Sequence, residues 1–244
     1  MNGKIYMAVP FAEKDNAKAL GAKWDATLKK WYYEGPVYNY VKFAKWIACG
    51  REETTIACGY IYILESIQIC FRCKKPTRVV GLGIGEHVML FMGEDGHYEI
   101  EVAEDMAEYD EAIHVAWAND EHAIPKALLE YLQQNYNVHK GFSRTAGECF
   151  ANHCDNCGVI QGNFFLFGED SPLTALIPDG SQLQEKFQKI KIFSIGIDED
   201  LVLDWDFSYC DNDCLYFKYG QTKDLRLLPS QYDDTITYKE LYGI

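Results

Sequence analysis

Apolar residues recur along the chain with two periods, and the pattern predicts a mixture of strands and helices. Near the start, Ile5-Tyr6-Met7-Ala8-Val9 is a short β-prone run closed by Pro10. Residues 13–20 read as a short helix that Gly21 can cap in the left-handed conformation. Trp31-Tyr32-Tyr33 is aromatic and strand-like, and Gly35-Pro36 stops it. Val37, Tyr40, Val41, Ala44 and Ala48 then fall at helical spacing. Farther on, residues 88–91 and 98–102 predict a hairpin through Gly93-Glu94-Asp95-Gly96, and Ile113, Val115 and Trp117 alternate like another strand. Pro125 suits the first turn of a helix with Leu128, Leu129, Tyr131, Leu132 and Tyr136 on its apolar face. Strands are predicted over residues 191–197, 201–203 and 215–219, with shorter β-like runs over 67–69, 78–80 and 163–167. Gly81, Gly83 and Gly85 predict a flexible hairpin, not a phosphate loop, because strand-like residues 87–91 follow them. Helices and strands do not alternate regularly, so the expected class is α+β. A small N-terminal α/β unit over residues 1–50 is followed by a larger α+β domain over 51–244.

Composition adds constraints. The 244 residues are 48% hydrophobic and 25% charged, which suits a packed core and not a disordered chain. No run reaches the roughly 18 apolar residues that a membrane span needs. The N-terminus lacks the apolar stretch of a secretory signal, so a cytoplasmic location is expected. The net charge of −14 argues against a protein that coats nucleic acid over its whole surface. That charge is unevenly placed. Residues 1–50 hold eight Lys and four acids, leaving a net of −18 for the remainder. Residues 86–121 carry twelve acids and residues 198–213 carry seven, with no Lys or Arg in either run. Such runs are a solvated face or a docking surface for a basic protein.

The cysteines carry the strongest chemical signal. Nine of them in a chain without a secretion signal do not read as a disulfide framework. Four form two pairs, Cys70-Phe71-Arg72-Cys73 and Cys154-Asp155-Asn156-Cys157. A two-residue gap lets one tight turn aim two thiolates at one ion, and two such turns complete a tetrahedral shell. Cys70, Cys73, Cys154 and Cys157 are therefore expected to hold one structural zinc ion, with redox or iron–sulfur chemistry as the alternative. A closed shell of four thiolates leaves no open position for catalysis. No histidine joins a serine or cysteine in a recognisable nucleophile context, so a non-enzymatic protein is favoured over an enzyme whose site is assembled only by the fold, and the question stays open.

The first fifty residues carry a second signal. Lys14 and Lys18 share a helix face, and Lys23, Lys29 and Lys30 flank Trp24 and Trp31. Lysines reach phosphates and an exposed indole stacks on an unpaired base, so these seven residues are candidates for contacting single-stranded nucleic acid. The competing reading makes both indoles core anchors of a small unit and the lysines plain solvated surface.

The run Val9-Pro10-Phe11-Ala12-Glu13-Lys14-Asp15, then Ala17-Lys18-Ala19-Leu20-Gly21-Ala22-Lys23-Trp24-Asp25, then Lys29-Lys30-Trp31-Tyr32, resembles a small bacterial domain of unknown function. That domain occurs attached to conjugative-plasmid primases and related mobile-element proteins. The resemblance implies a DNA-processing context and covers about a fifth of the chain, which has no recognisable primase segment. Residues 151–163, around Cys154 and Cys157, resemble the second knuckle of zinc-ribbon-like modules in uncharacterised bacterial proteins. From the residues and the resemblances together, the expected protein is a zinc-binding accessory factor. An acidic adaptor or inhibitor acting through residues 51–244 is the alternative.

Overall fold

The computed structural model describes residues 1–103, 112–168, 171–174, 183–210 and 212–227. Residues 104–111 of the first acidic run, and Asp211 of the second, lie outside the described residues.

The N-terminal unit has strands β1 (Asn2–Met7), β2 (Lys23–Asp25) and β3 (Lys30–Pro36), in the order β1-β3-β2. Helix α1 (Lys14–Ala19) stands between β1 and β2, and Gly21 follows it with φ +102°. Strand β2 has no apolar alternation to reveal it. It forms by pairing with β3, and the Asp25 carboxylate ties down the turn that follows by accepting from the Thr27 and Leu28 amides. The segment expected to be one α-helix is a 3₁₀ helix over Val37–Phe43 that passes into the single turn of α2 (Ala44–Ile47). Its buried residues Val37, Tyr40 and Phe43 are three apart, and three residues per turn places them in one line.

The remainder begins with β4 (Glu53–Ala57), β5 (Tyr60–Ile69), β6 (Pro76–Ile84), β7 (His87–Met92), β8 (Tyr98–Val102) and β9 (His114–Trp117). Helix α3 (Lys126–Asn135) follows, then the hairpin of β10 (Val138–Ser143) and β11 (Gly147–Asn152), and short helices α4 (Asn163–Phe167) and α5 (Leu183–Phe187). Strands β12 (Lys191–Gly196), β13 (Leu201–Leu203) and β14 (Asp206–Ser208) precede α6 (Leu215–Tyr219) and β15 (Gln221–Asp224). A six-stranded sheet has the order β14-β9-β6-β5-β12-β15, and a four-stranded sheet the order β13-β4-β7-β8. Only β12 and β15 pair in parallel among the described strands. The class is α+β.

Three sequence expectations are corrected. Residues 163–167 and 215–219 are helices α4 and α6, because a five-residue apolar run has no period that separates strand from helix. Residues 81–85 are no hairpin. Gly81 and Gly83 lie inside β6, where a Cβ would come within 3.0 Å of Phe167 and 2.7 Å of Ile113 respectively. Close packing over the sheet accounts for these glycines. No helix among the described residues is long and apolar enough to cross a membrane.

The N-terminal unit shares its core with the four-stranded sheet. Ile5, Trp31, Tyr40, Phe43 and Trp46 form one apolar cluster with Ile56, Val88, Leu90 and Val102. The turn between β12 and β13 adds a polar tie. Asp200 is buried, its amide donates to the Lys4 carbonyl at 2.7 Å, and its carboxylate accepts from the Tyr40 hydroxyl. Burial pushes the Asp200 carboxyl up to about 6, against the lowering effect of the donors Tyr40 and Cys58. A raised folded pKa means that the native state binds the proton more tightly. The stabilising contribution is full below the unfolded value near pH 4 and is lost as pH rises through about 6. Asp200→Asn is therefore expected to flatten the pH dependence of stability and to gain about 1–3 kcal/mol relative to wild type between pH 5 and 8. Urea unfolding of both chains at the two pH values checks this, and parallel profiles would rule it out.

Candidate metal centre and N-terminal surface

The four paired cysteines converge, with their sulfur atoms all within 4.8 Å of one another. Cys70 Sγ lies 3.8 Å from Cys157 Sγ, and Cys73 Sγ lies 3.7 Å from Cys154 Sγ. No cysteine is in a disulfide. Cys70 and Cys154 are fully buried, whereas Cys157 is exposed at the rim.

Each pair sits in the same backbone device. In the first, the Cys70 amide donates to the Lys75 carbonyl and the Lys74 amide to the Cys70 carbonyl. In the second, the Cys154 amide donates to Val159 and the Gly158 amide to Cys154. The residue after each second cysteine has a positive φ, 59° at Lys74 and 68° at Gly158. A strand pair closes each turn at matching positions, Ile69 with Pro76 and His153 with Ile160. The two knuckles are therefore equivalent halves of one centre, although strands β6 to β9, α3 and the β10–β11 hairpin separate them in the chain. Second-knuckle side chains lock the halves together. Asn156 Nδ2 donates to the Pro76 carbonyl, the Asp155 carboxylate accepts from the Arg78 amide, and Asn152 exchanges two hydrogen bonds with the backbone of Val80.

The electrostatics favour thiolate on the buried side. Burial opposes ionisation of Cys154, yet the Asn156 and Cys157 amides aimed at its sulfur bring it down to about 6. Cys70 is lowered in the same way, with the amides of Cys73 and Arg72 overcoming its burial. At Cys157 the Val159 amide acts downward, but desolvation and the other sulfurs push the thiol up to about 11. Protons crowd onto the rim because four adjacent thiolates repel. A cation at the centre removes that repulsion. Donor set, spacing and closure fit one metal ion with no coordination position left for substrate. Among the described residues no other cysteine or histidine joins the cluster, and Cys149 and His153 do not meet Cys210 and Cys214.

The structure divides the N-terminal candidates between two faces of the small sheet. Trp24 and Trp31 are direct partners across β2 and β3, with ring centroids 5.4 Å apart. Trp31 is buried core, so it offers no surface to a base; Trp24, on the edge strand, is 50% exposed. Lys18 lies 5.7 Å above the Trp31 ring, and Lys14 lies 3.9 Å above the exposed Phe11 ring. Lys29 is exposed on the turn after β2, where it takes a φ of 55°. Lys23 and Lys30 point to the opposite face by strand alternation. Lys23 pairs with Glu34 at 3.5 Å, and burial lowers the pKa of Lys30. Sequence reasoning overlooked the exposed apolar residues Phe11, Leu20 and Leu28 of the same unit, which only burial reveals.

Fold and cysteine cluster together define an α+β chain with a small N-terminal module and a cluster of four cysteines that could hold a metal ion. Residues 4–48 match a domain of unknown function (DUF5710). Two curated relatives from Escherichia coli, both called DNA primase TraC, align with the same end. One is 46% identical over 54 residues, covering 22% of this chain and 5% of the relative. The other is 49% identical over 41 residues, covering 17% and 3%. The chain thus spans about 5% or less of the length of these relatives. No solved structure matches the chain. The resemblance of the N-terminal region to a primase-associated domain of unknown function is borne out.

Proposed function

We propose that the chain is a non-enzymatic zinc-binding accessory protein in DNA or mobile-element processing, and that its N-terminal module contacts single-stranded nucleic acid. The observation that carries this reading is the half-exposed Trp24, packed against the Trp31 ring that Lys18 overlies, with Lys29 exposed on the turn after the same strand, at the end of the chain that is similar to a DNA primase. Zinc is the favoured ion. With Zn–S bonds of about 2.3 Å, a regular tetrahedron has edges of about 3.8 Å, close to the 3.7 and 3.8 Å seen between the knuckles. In this reading the ion cross-links two knuckles and takes no part in a reaction.

The full-length chain is the right object for the test, because the module shares its core with the remainder. Lys18→Glu with Lys29→Glu is expected to weaken binding of a single-stranded oligonucleotide and to reduce the slope of log affinity against log salt by about 1.4, or 0.7 per contact. Trp24→Ala is expected to cost about 1–3 kcal/mol of binding through lost stacking, with the fold retained. No binding by the wild-type chain at low salt would exclude the reading. A second reading is then favoured by the groove where Glu53, Asp204 and Asp206 outnumber Arg51 among Trp205, Phe207 and Tyr209. An acidic aromatic groove of this kind suits a lysine or arginine of a basic protein.

A further inference from the structure

Residues 66–85 carry four bases, Arg72, Lys74, Lys75 and Arg78, and no Asp or Glu, within a remainder of net −18. The structure places them at the first knuckle. Strand β12 pairs with β5 only as far as Glu65, so the β5–β6 ribbon runs on past it to the turn at Cys70. Register sets Ile67 opposite Arg78 and Ile69 opposite Pro76, and both isoleucines are more than half exposed. Phe71, in the turn, is 56% exposed and stacks on no other ring among the described residues. Arg78 is already engaged, 3.6 Å from the Asp155 carboxylate and over the Tyr136 ring. Arg72, Lys74 and Lys75 are exposed and make no ion pair among the described residues. Nor do they serve the thiolates. The side chains that donate to the sulfurs are Asn156, 3.9 Å from Cys154 Sγ, and Gln161, 3.6 Å from Cys70 Sγ.

We propose that this knuckle is a second binding surface for single-stranded nucleic acid, with Arg72, Lys74 and Lys75 on phosphates and Phe71 stacked on a base. Free cations around one exposed ring supply the two interactions that an unpaired strand offers, charge along its backbone and stacking on its bases. Ile69 and Ile67 continue the apolar strip along β5. The acidic remainder does not cancel this local field, because exposed charges farther than about 8 Å are screened at physiological salt. The acids that border the patch are themselves engaged. Glu65 is bonded to Lys191 and Tyr136, and Asp155, across the knuckle, to Arg78. The turn also comes ordered. Its closing bonds, Cys70 amide to Lys75 carbonyl and Lys74 amide to Cys70 carbonyl, fix the backbone that carries the ring and the cations, so little entropy is lost on binding. The choice of nucleic acid among polyanions rests on the reading above. The surface itself belongs to the six-stranded sheet, whereas Trp24 belongs to the small N-terminal one.

Fluorescence anisotropy of the full chain with a labelled oligothymidylate tests it. Arg72→Glu with Lys75→Glu is expected to weaken binding and to lower the slope of log affinity against log salt by about 1.4. Phe71→Ala is expected to weaken binding roughly 5–150-fold with the slope unchanged, the range of one lost stacking contact. Metal content and melting temperature should match wild type in both. If these chains bind like wild type while Lys18→Glu with Lys29→Glu binds more weakly, the knuckle surface is overturned and the module reading stands. The reverse pattern keeps the knuckle and overturns the module. No binding by wild type at low salt overturns both. Ultraviolet cross-linking of the wild-type chain to a bromouracil-substituted strand needs no variant. A cross-linked peptide holding Phe71 is expected, and cross-links confined to the N-terminal module would overturn the surface. Vesicles rich in phosphatidylserine are the counter-probe. Capture of the wild-type chain that is lost in Phe71→Ala and not competed by the oligonucleotide would overturn nucleic acid in favour of a lipid surface.

Discussion

Replacing Cys154 with serine is expected to unfold the chain and to take its zinc content from about one ion per chain to none. Structural zinc contributes apparent binding free energies of about 10–16 kcal/mol in zinc-finger peptides. Whole domains are stable by about 5–15 kcal/mol, so loss of the ion removes a quantity of the same size as the total. The geometry shows why the damage spreads. The second knuckle is fastened to the start of β6 through Asp155, Asn156 and Asn152, and β6 is an interior strand of the six-stranded sheet. Releasing the ion frees the end of the β5–β6 pair and the anchor of the β10–β11 hairpin together. Cys149→Ser is the control. Cys149 is buried but outside the cluster, so its replacement should leave one zinc per chain and cost no more than a few kcal/mol. Elemental analysis and thermal unfolding of both variants read the difference. A Cys154→Ser chain that melts like wild type would show that the knuckles hold without an ion.

Gly3→Ala is the second substitution with a large expected effect. A Cβ on Gly3 would fall inside van der Waals contact of both the Asp200 carboxylate and the Tyr40 hydroxyl. Those groups are bonded to each other, and the backbones of Asp200 and Lys4 are joined alongside them. Neither partner can retreat cheaply. Tyr40 is fully buried in the shared core, and Asp200 is held by its own amide. Overpacking of this kind costs about 1–3 kcal/mol, and separating the buried pair adds to it. The expected result is a fall in melting temperature of roughly 5–10 °C or more for a chain of this size. Because the core is shared, near-ultraviolet dichroism and tryptophan emission should lose their signals in one transition. An unchanged melting temperature would mean that the β12–β13 turn does not clasp β1 in solution.

What could be read without coordinates depended on how local each signal is. Two thiols separated by two residues meet whenever the chain turns tightly, so all four clustered cysteines are visible as two pairs. The β7–β8 hairpin is equally local, since its alternation and its glycine-bearing turn lie within fifteen residues. Strand β2 escaped notice because Lys23, Trp24 and Asp25 gain strand conformation only from their partner β3. The α4 and α6 segments were misread because five apolar residues suit either state until neighbours choose.

The sequence alone determined that two CxxC turns exist, that positive charge gathers in the first fifty residues, and that the N-terminal segment resembles a known module. Short-range spacing and composition encode all three. Only the tertiary structure decided that the two knuckles are equivalent halves of one centre, since four strands, α3 and a hairpin lie between them in the chain. Only the tertiary structure separated Trp31 from Trp24, because burial depends on what covers a residue. The same holds for the Asp200–Tyr40 tie and the bonds between Asn152 and Val80. Each joins residues far apart in the chain, and no local period records contacts made across strands, turns and sheets.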